Sequence, residues 1–196
     1  MPDIRVGAIG CGYWGPNLIR NIVEIPGAEL HAVADLDQAR LDHIQTRYPQ
    51  ITTATQDYHD LFGLDLDAIV ISTPPQTHFE IAGECLKRGH HVLVEKPLTI
   101  SSQEARQLIQ LAELHDRILM VGHTFEFNPA VTALRDMIAN GELGDIFYVD
   151  AVRASLGLFH PTLNVVWDLA PHDISILLNL LGWMPQSVAA QGMACV

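Results

Sequence analysis

The chain has 196 residues, of which 48% are hydrophobic and 17% are charged, and its formal net charge is −12 at pH 7. This composition is typical of a globular protein with a sizeable core and excludes a disordered chain. The negative charge repels phosphate backbones, which disfavours nucleic acid as a partner. A small anionic ligand is still compatible with it, because a pocket needs only local positive charge.

Cysteine usage and the lack of long apolar runs bear on the compartment. Cys11, Cys85 and Cys195 form no CxxC pair and leave one thiol over, which favours a reducing compartment over a disulfide framework. The opening sequence, MPDIRVGAIG, lacks the long apolar region of a signal peptide. No apolar run reaches the ~18 residues of a membrane span. These features predict a cytoplasmic protein that does not cross a membrane.

The first 123 residues alternate between short β-rich runs and amphipathic stretches. The predicted strands are 4–10, 30–35, 68–73, 91–95 and 118–122, and the predicted helices are 13–23, 36–48, 77–88 and 102–115. Such alternation predicts βαβ units. We therefore expect an α/β fold, with a doubly wound parallel sheet of the Rossmann type over residues 1–123.

The pattern changes in residues 124–196, which we expect to form part of a second domain. Helices are predicted at 128–140 and 168–180, strands at 146–153 and 187–196, and a loop at 155–164. Because the last strand runs to the final residue, and termini usually trail off at a surface, we expect this domain to be incomplete.

The sequence IRVGAIGCGYWG places Gly10, Gly12 and Gly15 in a GxGxxG pattern between a predicted strand and a predicted helix. In a dinucleotide-binding loop the first glycine permits the turn, the second admits a pyrophosphate, and the third lets the helix pack on the strand. The pattern alone is also compatible with an ordinary tight turn. Asp35 lies 20 residues after Gly15 and follows the second predicted strand, where an acid accepts hydrogen bonds from the adenosine ribose. Together they predict NAD in preference to NADP, although Asp35 alone is equally compatible with a helix cap.

Two further motifs follow predicted strands and so belong to the same ligand edge. Residues 72–78, STPPQTH, are interpreted either as a backbone wall beside the nicotinamide or as a fixed loop in which Thr77 caps the next helix.

Residues 95–97 read EKP. Lys96 is one of two lysines in the chain, and its ammonium needs either a pocket or a carboxylate partner. Glu95 is a poor partner, since neighbouring residues of a strand point to opposite faces.

The sequence WDLAPHDI places Asp168 and His172 four residues apart, on one face of a predicted helix. Pro171 is compatible with the first turn of that helix. Asp168 is also compatible with a helix cap, and His172 with an ordinary buried histidine. Two candidate ligands without a third nearby are too few for a metal site, so no metal is predicted.

These motifs, in this order and spacing, resemble the Gfo/Idh/MocA oxidoreductase family, through GCGYWG, Asp35, STPPQTH, EKP and the D-x-x-x-H of Asp168 to His172. The stretches GYWGPNLIRN and NVVWDLAPHDISIL are most similar to its UDP-N-acetylglucosamine and UDP-N-acetylglucosaminuronate 3-dehydrogenases. The resemblance implies a Rossmann domain followed by an α/β domain with a mainly antiparallel open sheet. It also implies a homo-oligomer, a dimer or tetramer, and a cis bond before Pro97.

The resemblance implies an NAD-dependent dehydrogenase that acts on a secondary sugar hydroxyl, with Lys96 and His172 at the reacting carbon and Asp168 beside them. Arg153 is a weaker candidate for binding a substrate anion. The residues expected to bind the cofactor are Gly10, Gly12, Tyr13, Trp14, Gly15, Asp35, Ser72, Thr73, Pro74, His78, Glu95 and Lys96. Two alternatives keep most of these motifs: an inositol or simple-sugar dehydrogenase or NAD-assisted glycosidase, and a non-catalytic NAD-binding regulator.

Overall fold

The computed structural model describes residues 3–153 and 164–193. The chain divides into two compact units, residues 1–122 and residues 123–196. Among the described residues, no helix combines the length and the apolar character that a bilayer crossing requires.

The first unit is built on a six-stranded parallel sheet with the strand order β3-β2-β1-β4-β5-β6. Its strands are β1 (Ile4–Ile9), β2 (Ala28–Ala34), β3 (Thr53–Thr55), β4 (Ala68–Ile71), β5 (His91–Val94) and β6 (Leu119–Val121). Its helices are α1 (Gly15–Glu24), α2 (Gln38–Arg47), α3 (Pro75–Lys87) and α4 (Ser102–Leu114). The strand order reverses between β1 and β4, which confirms the predicted doubly wound Rossmann sheet.

Each face of the sheet has its own apolar core. On one face, Ile19 of α1 and Leu41 of α2 pack with Leu30 and Val33 of β2. On the other face, α3 and α4 pack against the alternate residues of β4 and β5, with Ile81, Ala82, Cys85, Leu86, Leu108 and Ala112 all buried there. Successive strand residues point to opposite faces, so a nearly continuous apolar run supplies both cores.

Helix boundaries follow local capping. Asp37 accepts a hydrogen bond from the Ala39 N–H and caps α2, and Ser101 caps α4 in the same way. The alternative interpretation of Asp35, as the cap of α2, is therefore wrong. Thr77 is not a cap either, because α3 begins two residues earlier, at Pro75, which suits a first helical position. The three-residue strand β3 and the 3-10 helix Tyr58–Gly63 were missed, since neither carries a periodic apolar pattern.

The second unit contains a short 3-10 helix (Thr124–Phe127), helix α5 (Pro129–Ala139) and helix α6 (Val165–Leu181). The strands predicted at 146–153 and 187–196 are wrong for residues 146–153 and 187–193, which pair with no strand in the described part of the chain. A β-rich sequence forms a strand only where a partner supplies its ladder hydrogen bonds. The end of the second segment, 194–196, and most of the predicted loop lie outside the described residues.

Candidate functional site at the carboxyl edge of the sheet

Four predicted cofactor-edge positions, together with Gly122, lie in one hydrogen-bonded row just beyond the strands. The N–H of Gly10 donates to Ala34, that of Asp35 to Thr55, that of Ser72 to Ile9, that of Glu95 to Ile71 and that of Gly122 to Val94, at N···O distances of 2.8–3.1 Å. Each bond extends the parallel ladder by one residue past the carboxyl end of a strand. The ladder therefore brings the glycine loop, the ribose acid and the EKP turn to one edge of the sheet.

Close packing around the glycine loop explains two of its three glycines. Gly10 has a φ of +98°, and a Cβ there would lie 2.7 Å from the backbone carbon of Ser72. A Cβ on Gly15 would collide with the carbonyl oxygen of Gly10, so only glycine lets α1 start this close to β1. Gly12 differs, because its Cβ would meet only Arg40 Nη1, at 3.5 Å. The loop is thus tight at both ends and open in the middle, as pyrophosphate binding at a helix N-terminus requires.

The Asp35 carboxylate joins the glycine loop to the turn after β2. Its Oδ2 accepts from the Cys11 N–H at 2.6 Å and its Oδ1 from the Asp37 N–H at 2.9 Å. Arg40 Nη1 lies 3.6 Å from Oδ1, and the carboxylate is only 7% exposed. Each oxygen can accept more than one hydrogen bond, so Asp35 can still receive a ribose hydroxyl. The arrangement also leaves Arg40, which sequence reasoning missed, at the rim of the same position.

The aromatic pair of the glycine loop lies at the surface, with Tyr13 82% and Trp14 41% exposed. Cys11, beside them, is buried, and burial together with Asp35 raises the pKa of its thiol to about 12. A thiol with such a pKa stays protonated at neutral pH. Tyr13 is thus available to a ligand, the Trp14 side chain hydrogen-bonds the Glu95 carboxyl, and Cys11 serves the core.

The loop after β4 is tied to the glycine loop and to its own helix. Ser72 Oγ donates to the Gly10 carbonyl at 2.8 Å. Thr77 Oγ1 donates to the Pro74 carbonyl at 2.8 Å and contacts Thr73 Oγ1 at 2.7 Å. Pro74 itself is exposed. His78 is fully buried beneath the loop. The structure thus brings Ser72 and Thr73 to the cofactor edge and places His78 behind it.

The EKP turn follows β5, and the Lys96–Pro97 peptide bond is cis, as predicted. The Glu95 side chain is 9% exposed, and its Oε2 accepts from the Lys96 N–H at 3.2 Å. Its Oε1 has no hydrogen-bond partner in the part of the chain that the structure describes. Burial raises the pKa of the Glu95 carboxyl, and hydrogen bonds from the Lys96 N–H and the Trp14 side chain offset this in part. Lys96 itself is half-buried.

Gly122 makes room for the Glu95 carboxyl, and sequence reasoning missed this. A Cβ on Gly122 would lie 2.9 Å from Glu95 Oε1 and 3.1 Å from its Cδ. The available signal was a glycine placed directly after a short apolar strand, a position that favours close approach of another group.

In the second unit, Asp168 and His172 lie one turn apart on α6 and are both half-buried. Asn164, not Asp168, caps this helix, since its side chain accepts from the Trp167 N–H at 3.1 Å. Pro171 therefore lies inside the helix rather than in its first turn, where it removes one backbone donor. The Phe125 and His172 rings meet in a T-shaped contact, with centroids 4.8 Å apart.

Arg153 is held by neighbours within the second unit. Its Nε lies 2.9 Å and 3.0 Å from the two carboxylate oxygens of Asp173, and its guanidinium lies over the Phe125 ring, 4.8 Å from the centroid. Both partners were missed from the sequence, because their contacts join residues 20 or more positions apart. Arg153 therefore contacts the ring that packs on His172.

The described residues contain no group of three or more His, Cys, Asp or Glu side chains that could hold a metal ion. The carboxyl edge fits a dinucleotide better. The open face over Gly12 admits backbone-bound phosphate, and the helix N-terminus at Gly15 favours negative charge.

Comparison with known proteins agrees with this geometry. Residues 4–123 match the Gfo/Idh/MocA profile, described as an oxidoreductase family with an NAD-binding Rossmann fold. UDP-N-acetylglucosamine 3-dehydrogenase of Acidithiobacillus ferrooxidans is 31% identical over 204 residues, covering 100% of this chain and 60% of that protein. Inositol 2-dehydrogenase of Rubrobacter xylanophilus is 35% identical over 144 residues, covering 72% of this chain and 41% of that protein.

Among solved structures, an oxidoreductase from Agrobacterium radiobacter in complex with NAD+, L-tartaric acid and magnesium superposes with a TM-score of 0.82. It is 23% identical, over 92% of this chain and 55% of that one, a likeness that shows the fold alone. The chain spans about half the length of the curated relatives it matches. The family profile, together with the alignment that spans the whole of this chain, confirms the predicted family and its cofactor, NAD. This chain belongs to the Gfo/Idh/MocA oxidoreductase family and contains its NAD-binding Rossmann fold.

Proposed function

We propose that this chain carries the cofactor domain of an NAD-dependent dehydrogenase that oxidises a secondary hydroxyl of a sugar. The observation that carries the proposal is the single row formed by the glycine loop, the Asp35 carboxylate and the EKP turn. Open α/β sheets bind ligands at this edge, near the point where the strand order reverses. A regulator that only bound NAD would need the glycine loop but not the half-buried lysine of the EKP turn.

Bound NAD+ supplies the hydride acceptor. Lys96 donates a hydrogen bond to the reacting hydroxyl oxygen and stabilises the negative charge that develops on it. His172 accepts the hydroxyl proton as general base, and Asp168, one turn earlier on α6, orients it. Support for these roles comes from the family resemblance at EKP and at D-x-x-x-H.

For the substrate, we propose a nucleotide-linked acetamido sugar oxidised at C3. In its support, a UDP-N-acetylglucosamine 3-dehydrogenase aligns with the whole chain. A second candidate is an inositol, because an inositol 2-dehydrogenase has the higher identity, although over a shorter part of the chain. Both substrates present a secondary hydroxyl on a six-membered ring, so they differ in the nucleotide and not in the reaction.

The test follows NADH absorbance while the chain is incubated with NAD+ and, in turn, UDP-N-acetylglucosamine, free N-acetylglucosamine, myo-inositol and scyllo-inositol. We expect NADH to appear with the nucleotide sugar and not with its free sugar. Turnover of the inositols alone would replace the first candidate by the second. A chain that binds NAD+ but oxidises none of these would contradict the proposed reaction.

The test variant is Lys96→Met, which keeps the length and the apolar stem of the side chain and removes its charge. Lys87→Met, at the end of α3 and outside the EKP turn, is its matched control. We expect only the Lys96 variant to lose turnover.

A further inference from the structure

His78, in the first half of α3, is buried completely and contacts a carbonyl oxygen with each ring nitrogen. Nδ1 lies 2.9 Å from the Pro97 oxygen, and Nε2 lies 2.8 Å from the Thr73 oxygen. The ring therefore spans the gap between two loops. His90, the other buried histidine of the described core, contacts a carbonyl with one nitrogen only, Nδ1, at 2.9 Å from Leu66.

Both partners of His78 are acceptors, which constrains the ring. A neutral imidazole carries one N–H and can donate to one carbonyl, whereas a ring with two protons donates to both. Burial lowers the pKa of His78, and the contacts with the carbonyls of Pro97, Thr73 and Leu98 raise it in part. Both N···O distances lie within normal hydrogen-bond range, so each of the two carbonyls can accept a hydrogen bond from the ring nitrogen that faces it.

The two loops joined by His78 are those that flank the proposed reacting centre. Thr73 follows β4 and Pro97 follows β5, and these strands are neighbours with Ile71 opposite Val94. On its other side, the β4 loop is tied to the glycine loop through Ser72 and Gly10. The contacts of His78 thus complete a chain of ties from the phosphate-binding loop to the turn that carries Lys96.

We propose that His78 is a positioning residue, which fixes the distance between the β4 loop and the Lys96 turn by holding one ring nitrogen against a carbonyl of each, and which donates to both carbonyls when the ring carries two protons. The inference rests on the proposed function for its catalytic consequence, while its binding and spectroscopic consequences need only the family's cofactor. His78 touches neither substrate nor cofactor in this role, because its ring is buried behind the loops.

Two variants, each of which can donate a hydrogen bond to only one of the two carbonyls, test this role of His78. The amide nitrogen of asparagine takes the place of Nδ1, so His78→Asn keeps a donor for Pro97. That of glutamine takes the place of Nε2, so His78→Gln keeps a donor for Thr73. We expect each variant to bind NAD+ about tenfold more weakly, since each removes the side-chain nitrogen that lies against one of the two carbonyls and so releases one loop, while affinity for ADP stays within about twofold. The Gln variant should lose more turnover than the Asn variant, because it frees the turn next to Lys96.

His90→Asn is the matched control, because it preserves the one donor that His90 uses and lies away from the two loops. Its ratio of NAD+ to ADP affinity should equal that of the unmodified chain. An unchanged ratio in both His78 variants would overturn the proposal, as would an equal loss for NAD+ and ADP, the result expected from general damage to the fold. An unmodified chain that binds NAD+ but oxidises none of the substrates would contradict the proposed reaction. It would leave the role of His78 in cofactor binding unaffected.

Long-range ¹H–¹⁵N spectra of the unmodified chain provide a test that needs no variant to fold. Recorded between about pH 5 and pH 8, where histidines titrate, they should show both ring nitrogens of His78 carrying slowly exchanging protons at the acidic end. A ring nitrogen that lacks such a proton over the whole range would refute the two-ended tie.

Discussion

The two units of the chain differ in where their polar groups find partners. In the first unit, six parallel strands supply one another's ladder bonds, and those bonds continue past the strand ends to fix Gly10, Asp35, Ser72 and Glu95. In the second unit, residues 145–153 and 187–193 form no ladder within the described chain, and Phe147 and Tyr148 are 90% and 86% exposed. The cofactor edge is thus held by backbone, whereas the candidate groups of the second unit are held by one helix and a few side-chain contacts.

This difference has a consequence for function. Backbone bonds hold the glycine loop and the EKP turn whichever side chains surround them, so cofactor binding should tolerate changes in the second unit. His172, in contrast, depends on α6 and on the Phe125 ring that packs against it. Substitutions in the two units should therefore separate cofactor binding from turnover.

The largest expected effect is on turnover, through the two proposed catalytic groups. Lys96→Met and His172→Ala should each lower kcat by ~10²–10⁴, the usual contribution of positioned proton transfer and charge stabilisation. Because the groups act on the same oxygen, the double variant should be far less impaired than the product of the single effects. Rates of NADH formation under saturating NAD+ measure this.

The same pair tests the separation of the units. His172→Ala should leave NAD+ affinity unchanged, because the Rossmann edge lies wholly in the first unit. Isothermal titration of NAD+ into the variant gives the answer. A weakened affinity would mean that the cofactor site extends into the second unit, and variants with the turnover of the unmodified chain would remove Lys96 and His172 from the mechanism.

The next effect concerns the fold of the cofactor edge. Gly15→Ala should destabilise the chain by about 1–3 kcal/mol and abolish NAD+ binding, since the new Cβ collides with the Gly10 carbonyl and backbone must shift. Urea unfolding and NAD+ titration measure the two losses. Gly63→Ala is the control, because no atom lies within 4 Å of its Cβ position and its φ is not positive.

Gly12→Ala sharpens this result. Its Cβ meets only the end of the Arg40 side chain, at 3.5 Å, so stability should change little. NAD+ affinity should still fall, because the methyl group occupies the face that a pyrophosphate approaches. Equal NAD+ affinity in Gly12→Ala and the unmodified chain would place the phosphates elsewhere.

Sequence reasoning succeeded where the chemistry was local. The GxGxxG spacing, Asp35 and the EKP motif were all predicted, and the parallel ladder places them in one row as expected. It failed where a partner comes from far along the chain. Gly122 packs on Glu95 from 27 positions away, and Arg153 pairs with Asp173 from 20 positions away, and neither pair is visible as a periodic or spaced pattern.

The strands predicted at 146–153 and 187–196 also failed because a sequence pattern does not reveal whether a distant partner strand is present. Their β-branched and aromatic residues favour an extended backbone, but that preference contributes little without a neighbouring strand. In the described residues, 146–153 and 187–193 form neither helix nor strand. Composition predicted the conformation that these segments prefer and could not supply the hydrogen bonds that make a sheet.

A smaller effect is expected on cofactor choice. NAD(H) should bind more tightly than NADP(H), since the Asp35 carboxylate repels a 2′-phosphate. Asp35→Ala should narrow this gap in affinity by about tenfold, because it removes that repulsion and leaves Arg40 with one neighbouring carboxylate, Asp37, instead of two. Paired titrations with both cofactors measure the gap. Asp37→Ala is the control, since it removes the cap of α2 and the other carboxylate beside Arg40, 3.4 Å from Nε, while leaving Asp35 in place; the gap should then persist. Equal or tighter binding of NADP(H) by the unmodified chain would contradict the preference.

The smallest effect is on stability and comes from Glu95, whose burial raises the pKa of its carboxyl. A carboxyl with a raised pKa in the folded state contributes stability at acidic pH, and this contribution is lost as the pH rises through that pKa. Glu95→Gln removes the buried charge, so it should stabilise the chain at about pH 8 by ~1 kcal/mol and have less effect near pH 5. Glu84→Gln should behave oppositely: burial raises the pKa of Glu84, but hydrogen bonds from Arg88 and Tyr58 outweigh burial and lower it. Urea unfolding of both variants at the two pH values measures these effects. A Glu95→Gln variant less stable than the parent at about pH 8 would show that the contacts of the ionised carboxylate outweigh the cost of its burial.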